Sequence, residues 1–118
     1  MPFKTEEEKD KTSSKISDIL KDCYPHSEKF QQRNLDILLL LVARGVTTTN
    51  FALSSAQITE TLIKYPRPSV CFSLKSLEYF GFVDRRTRNE GWFLSHSFLN
   101  RLEKLRGNWR DVLKVAES

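Results

Sequence analysis

Cysteine, glycine and proline are scarce in this 118-residue chain, which has two, four and four of them respectively. Two cysteines do not make a disulfide framework, so we expect a reduced, intracellular protein. The four glycines are scattered and form no phosphate-binding loop. The carboxylates form no paired motif for acid–base catalysis. The sequence therefore predicts neither an enzyme nor a bound cofactor.

Long hydrophobic runs are also missing. The longest uncharged apolar run covers residues 37–43, whereas a membrane span needs about 20 residues. The opening segment, MPFKTEEEKDK, lacks the apolar stretch of a secretory signal. We therefore expect a cytoplasmic protein that does not enter a membrane. Cys23 and His26 have a metal-ligand spacing, but half a site is weak evidence and no metal is predicted.

Excess charge of one sign is confined to a short part of the chain. The net charge is +4, and residues 64–88 hold six of the 19 basic but only two of the 15 acidic residues. The rest of the chain is therefore balanced. A basic cluster of this kind is typical of a surface that contacts a polyanion, although a solvated face gives the same pattern.

The N-terminal half is predicted to be helical after a short arm. Residues 1–11 are highly charged and have no apolar periodicity, which predicts a flexible charged arm. The remainder, 12–118, has the length of a single domain. Its first helix is expected to begin at Ser13 or Ser14 and to end before Pro25.

Two further helices follow. Ser27 is the expected N-cap of a helix that is apolar nearly all round and ends at Gly45, which predicts a central position in the domain. Residues 46–51 are polar and β-branched, so they form a loop or a short strand. Ser54 and Gln57 then have the spacing of a capping box and start a third, short helix.

The next helix and the hairpin after it complete the central part. Pro68 suits the first turn of a helix, and Val70, Leu74 and Leu77 form its apolar stripe. Gly81 ends it. Two β-prone runs at 82–87 and 92–94 then flank a turn with asparagine and glycine, which predicts a hairpin. The expected fold is mainly α with a small β-hairpin, an α+β class.

The segment from Ala56 to Val83, with the ending Leu-x-x-Leu-Glu-x-x-Gly-Phe-Val followed by Arg85 and Arg86, resembles the winged helix-turn-helix DNA-binding family. It is most similar to the MarR-like and PadR-like small transcriptional regulators, over roughly residues 35–102. The resemblance implies a winged helix with extra N- and C-terminal helices. It also implies a transcriptional regulator that binds duplex DNA.

On this interpretation the recognition helix spans about 68–80 and the basic wing about 84–91. Side chains outside the apolar stripe would face the major groove, and cations would neutralise phosphates or enter a minor groove. The expected DNA-binding residues are Lys64, Arg67, Ser69, Phe72, Ser73, Lys75, Ser76, Arg85, Arg86 and Arg88.

Phe72 departs from the pattern of the family, which usually has a polar or basic residue there. It can pack on a thymine methyl group, or it can mark a protein contact. Exposed aromatic residues such as Tyr79 and Trp92, together with Cys71, would favour the second interpretation. A winged-helix protein-interaction module in a transcription, replication or segregation assembly is therefore the alternative function.

The last helix, about 96–117, has an apolar heptad seam. The regulators that the chain resembles are two-fold dimers built from terminal helices, so the resemblance implies a homodimer. The expected dimer residues are Ile16, Leu20, Phe98, Leu102, Leu105, Trp109, Val112 and Ala116. The other interpretation is that the seam packs on Ile16, Ile19 and Leu20 of the same chain. No residue identifies an effector ligand, an operator or the sign of regulation.

Overall fold

The computed structural model describes residues 3–87 and 91–118. Over these ranges the chain is mainly α-helical with a two-stranded antiparallel hairpin, which confirms the predicted α+β class. The elements in chain order are α1 (Glu6–Cys23), α2 (Glu28–Ala43), α3 (Ser55–Thr61), α4 (Arg67–Phe80), β1 (Val83–Arg85), β2 (Trp92–Leu94) and α5 (Ser97–Glu117). A short 3-10 helix, Thr49–Phe51, precedes α3.

Helix α1 begins earlier than the sequence predicts. Thr5 is its N-cap and accepts a hydrogen bond from the backbone N–H of Glu8, so neither Ser13 nor Ser14 has this role. Three consecutive glutamates occupy the first turn, where the helix dipole favours negative charge. Residues 6–11, predicted to belong to a flexible charged arm, are instead the first turns of this helix. Capping and charge start this helix without an apolar stripe.

Helices α2 and α3 begin where predicted. The Ser27 hydroxyl accepts from the backbone N–H of Phe30, 3.2 Å away. At α3 the Ser54 hydroxyl accepts from the Gln57 N–H while the Gln57 side chain accepts from the Ser54 N–H, which is the predicted capping box. Gly45 ends α2 with a φ of 62°. These local signals fix the ends of the helices that surround the core.

One hydrophobic core joins α1, α2, α3, α4 and the hairpin. Its buried members are Leu20, Ile37, Leu38, Leu41, Val46, Leu53, Ile58, Val70, Leu74, Leu77, Val83 and Trp92. Helix α2 supplies three of them, which confirms its predicted central position. The Trp92 indole N–H also donates to the Ser55 hydroxyl at 3.1 Å, so the hairpin is tied to the start of α3.

The hairpin is extended by a single bridge to the segment before α3. Val83 pairs with Leu94 and Arg85 pairs with Trp92 in the antiparallel register. On the other edge of β2, Leu53 and Trp92 exchange two backbone hydrogen bonds of 3.0 and 2.7 Å. The Leu94 N–H donates to the Val46 carbonyl at 2.8 Å. The predicted loop or short strand at 46–51 therefore borders the hairpin and then turns through the 3-10 helix.

Gly81 fixes how α5 leaves the body of the domain. It ends α4 with a φ of 92°, and a Cβ at this position would lie 2.7 Å from the backbone nitrogen of Phe98. The Phe98 N–H donates to the Gly81 carbonyl at 2.9 Å, and the Phe98 ring lies 4.3 Å from that of Phe82. Beyond this contact α5 projects outward, and the chain measures 56 × 36 × 29 Å.

Candidate nucleic-acid interface

Helix α4 has one side in the core and one side in solvent. Val70, Leu74 and Leu77 are fully buried, as their spacing predicts. The opposite side carries Phe72 and Tyr79, of which 61% and 70% of the surface is exposed. That side also carries the exposed residues Pro68 and Lys75, and Arg67 is exposed at the first residue of the helix. The outer side of α4 therefore combines a cation with aromatic rings.

Cations from other helices border these aromatic rings. Phe72 meets Phe30 of α2 edge to face, with 5.4 Å between ring centroids, and the Arg33 guanidinium lies 4.7 Å from the Phe30 ring. Arg101 of α5 lies 5.2 Å from the Tyr79 ring and donates a hydrogen bond to the Tyr79 carbonyl. Sequence reasoning missed both arginines because they lie outside the basic cluster, and no spacing links them to α4.

The hairpin carries one paired and one exposed arginine in its described part. The Arg85 Nε lies 2.6 Å from the Glu78 Oε2, and its guanidinium lies 5.3 Å from the Trp92 ring. This ion pair offsets the charge of Arg85. Arg86 is exposed, and its backbone N–H donates to the Gly91 carbonyl at 2.7 Å. The predicted DNA contact at Arg88 lies outside the described residues.

Two serines of the predicted interface serve the packing of α4 instead. Ser73 is fully buried and its hydroxyl accepts from the Arg33 Nε, so the prediction that Ser73 contacts DNA is wrong. Ser76 is half-buried and shares a 2.6 Å hydrogen bond with the Tyr24 hydroxyl. Ser73 faces α2 and Ser76 faces Tyr24, which follows α1, because α4 packs over more of its circumference than its apolar stripe indicates.

Lys64 is engaged by a carboxylate of α2. Its Nζ lies 3.0 Å from the Asp36 Oδ2, which also accepts from the Tyr65 hydroxyl at 2.5 Å. The hydrogen bond with Asp36 raises the pKa of Lys64, and burial followed by the contact with Asp36 raises the pKa of Tyr65. Lys64 remains charged at neutral pH, but its charge is offset, so it contributes less to the basic surface than the sequence predicts.

Several of the predicted DNA-binding residues therefore have side chains on the surface. Arg67, Phe72, Lys75 and Arg86 are exposed, and Ser69 is half-buried in the first turn of α4. These residues come from the start of α4, its outer side and the hairpin. Together they form the surface that we call the α4–hairpin face.

The predicted dimer residues divide into core and surface residues. Leu20 is fully buried in the core, so its prediction as a dimer contact is wrong. Ile16 and Phe98 are half-buried, the first against the core and the second against Phe82. Helix α5, which is described throughout, has no buried residue. The exposed seam residues are Leu102, Leu105, Trp109, Val112 and Ala116.

An apolar groove of about 670 Å³ runs between α1, the end of α4 and the first half of α5. Its lining consists of Ile19, Asp22, Cys23, Tyr79, Phe80, Phe98, Arg101, Leu102 and Leu105. The seam of α5 therefore faces α1 across open space. The groove explains why α5 remains exposed although its seam points toward its own chain.

The two cysteines do not meet, and neither forms a disulfide. Cys23 is half-buried in the groove, and burial, followed by the charge of Asp22, raises the pKa of its thiol. Cys71 is half-buried on α4. Over residues 3–87 and 91–118 no three metal-ligating side chains gather into a site.

Each helix within the described ranges is too short or too polar to cross a lipid bilayer. No protein-family model, curated protein or solved structure matches this chain.

Proposed function

We propose that this chain is a winged-helix protein that binds duplex DNA through the α4–hairpin face and regulates transcription as a homodimer. The order α3, turn, α4 and hairpin is that of a helix-turn-helix followed by a wing. A family of this kind uses the exposed side of its second helix in the major groove.

The observation that carries the proposal is the position of the exposed cations. Lys75 lies on the side of α4 opposite its buried stripe, Arg67 is exposed at the first residue of α4, and the exposed Arg86 lies on the hairpin that follows. Cations on a helix and on an adjacent hairpin can reach phosphates on both sides of a groove. Since Lys64 and Arg85 are paired with carboxylates, we assign them a smaller share of DNA binding.

The experiment compares two double variants by anisotropy of a labelled 30-base-pair duplex. Lys75→Ala with Arg86→Ala removes two cations from the α4–hairpin face. Lys15→Ala with Lys21→Ala removes two exposed cations from α1 and is the matched control. We expect the first variant to weaken binding by roughly tenfold or more at low salt, because each phosphate contact releases counterions.

The control is expected to change binding by less than about threefold, since cations that do not contact phosphates release no counterions. Equal losses in the two variants would show binding by net charge alone and would contradict the assigned surface. A folded protein that does not bind the duplex at low salt would overturn the DNA-binding proposal.

The homodimer part of the proposal is supported by α5. Its seam repeats at heptad spacing, and Trp109 and Leu105 have 63% and 56% of their surface exposed. An apolar stripe of this length on a helix without a buried residue is typical of a surface that another chain covers. A two-fold dimer would present two copies of α4 to successive half-sites.

A second candidate function is a protein-interaction module, and the exposed aromatic residues of α4 favour it. Phe72 and Tyr79 expose most of their surface, and aromatic residues are enriched at protein interfaces, whereas Trp92 is buried and contributes nothing to this surface. Phe72→Ala separates the two functions. A DNA-binding surface should retain most of its duplex affinity, because cation–phosphate contacts supply most of it, whereas a protein partner that docks on α4 should lose most of its binding.

A further inference from the structure

We infer that two copies pair their α5 helices antiparallel about an axis beside residue 107, and that the second half of each α5 fills the groove of the other copy. This rests on the homodimer proposed above and assigns its orientation and its contact surface. The groove is lined by the first half of α5 and by α1, so it is open toward an incoming helix.

The core layers of the seam favour this orientation. Antiparallel pairing about residue 107 sets Phe98 against Ala116, Leu102 against Val112, and Leu105 against Trp109. Each layer then combines a larger side chain with a smaller one, so the layers differ less in volume than those of a parallel pairing. A parallel pairing would stack Trp109 on its own copy and Ala116 on its own copy, which gives one overfilled and one underfilled layer.

The charges beside the seam favour the same orientation. In a parallel pairing Arg101 of each copy lies beside Arg106 of the other, which makes two contacts between like charges. In the antiparallel pairing only the two Arg106 side chains approach each other, next to the axis. The parallel dimer therefore carries twice as many repulsive contacts.

In the antiparallel dimer, Val115 of one copy contacts the groove of the other. It lies beside the seam rather than on it, and 77% of its surface is exposed. The antiparallel pairing brings Val115 of one copy to the level of Arg101 of the other, which lines the groove next to Tyr79. The groove wall thus covers an apolar side chain that the seam alone would leave in water. A parallel pairing leaves both Val115 and the groove uncovered.

The orientation is measured by the distance between spin labels at the C-termini. A variant with Cys23→Ala and Cys71→Ala provides a background without native thiols, and Ser118→Cys carries the label. The antiparallel pairing predicts a distance of about 35 Å between labels, from the helical rise over twice the distance to the axis. A distance below about 20 Å would establish the parallel dimer and overturn the inference.

The occupancy of the groove is measured with a pair of charge variants. Val115→Lys places a second cation opposite Arg101 of the other copy, so we expect the dimer dissociation constant to rise about tenfold or more. Asn100→Lys adds the same charge on the outer side of α5 and is expected to change it by less than about twofold. Equal effects of the two variants would overturn the seating of Val115 in the groove.

These outcomes are separate from those of the proposed function. A dimer with the parallel distance leaves the homodimer proposal intact and removes only the present inference. A protein that sediments as a monomer at high concentration removes the inference and the homodimer. Duplex binding by the Lys75 and Arg86 variant is a property of each protomer and is tested in either case.

Discussion

Helices α4 and α5 have similar apolar stripes and opposite surroundings. The stripe of α4, made of Val70, Leu74 and Leu77, has no exposed surface. The stripe of α5 is equally regular, yet Leu105 and Trp109 are more than half exposed. A repeat of apolar residues therefore identifies the side of a helix that avoids water, but it does not identify what covers that side. In α4 that side is buried by other elements of the same chain.

The largest effect is expected from truncating the buried stripe. Leu74→Ala should lower the free energy of unfolding by about 2–5 kcal/mol, through lost transfer free energy and a cavity. Leu105→Ala, measured by urea denaturation at low protein concentration, should lower it by less than about 0.5 kcal/mol, because more than half of the surface of Leu105 is already in water. A comparable loss in both variants would mean that α5 packs on its own chain.

Two glycines allow the backbone of α4 to be compared with that of α5. Gly81→Ala should destabilise the protein by about 2 kcal/mol or more, because φ is positive and the added Cβ would lie 2.7 Å from the backbone nitrogen of Phe98.

Gly107 in α5 is the matched control, since a Cβ there meets nothing within 4 Å. Gly107→Ala should stabilise α5 by roughly 1 kcal/mol through helix propensity. Thermal unfolding of both variants measures whether each substitution lowers or raises the stability of the protein. A stabilised Gly81→Ala variant would refute the close contact between the end of α4 and the start of α5.

The smallest expected effect is on the pH dependence of stability. The pKa values of Cys23 and Tyr24 are raised mainly by burial, and that of Lys64 is raised by its hydrogen bond with Asp36. The unfolded chain releases these protons at lower pH than the folded chain. Stability should therefore be constant near neutral pH and fall as pH rises above roughly 8.5–10.

Urea denaturation between neutral and alkaline pH measures this decline. Tyr24→Phe keeps the ring and removes one titrating group, so its stability should fall less steeply with pH than that of the parent. An identical dependence of stability on pH in the two proteins would show that Tyr24 does not contribute to the decline.

The fold could be predicted from the sequence wherever a local signal acts alone. The caps at Ser27 and Ser54 and the end of α4 at Gly81 depend on side chains within four residues, and these predictions are confirmed. The start of α1 was missed because a search for apolar periodicity overlooks a threonine cap followed by glutamates.

The candidate site could be predicted only in part, because the tertiary structure decides which side chain each residue contacts. Nothing in the spacing places Asp36 beside Lys64, 28 positions later in the chain, or Arg33 beside Ser73. The same holds for Arg101, which reaches Tyr79 through the direction in which α5 leaves Gly81. A cluster of basic residues in the sequence therefore overstates the charge that remains on the surface.

The salt dependence of duplex binding measures whether the cations of the α4–hairpin face contact phosphates. If Arg67, Lys75 and Arg86 of each protomer contact phosphates as proposed, a dimer makes six such contacts. The logarithm of the binding constant should then fall with the logarithm of salt concentration with a slope of about −5. A slope near zero, or no binding at low salt by the folded protein, would contradict DNA recognition by the α4–hairpin face.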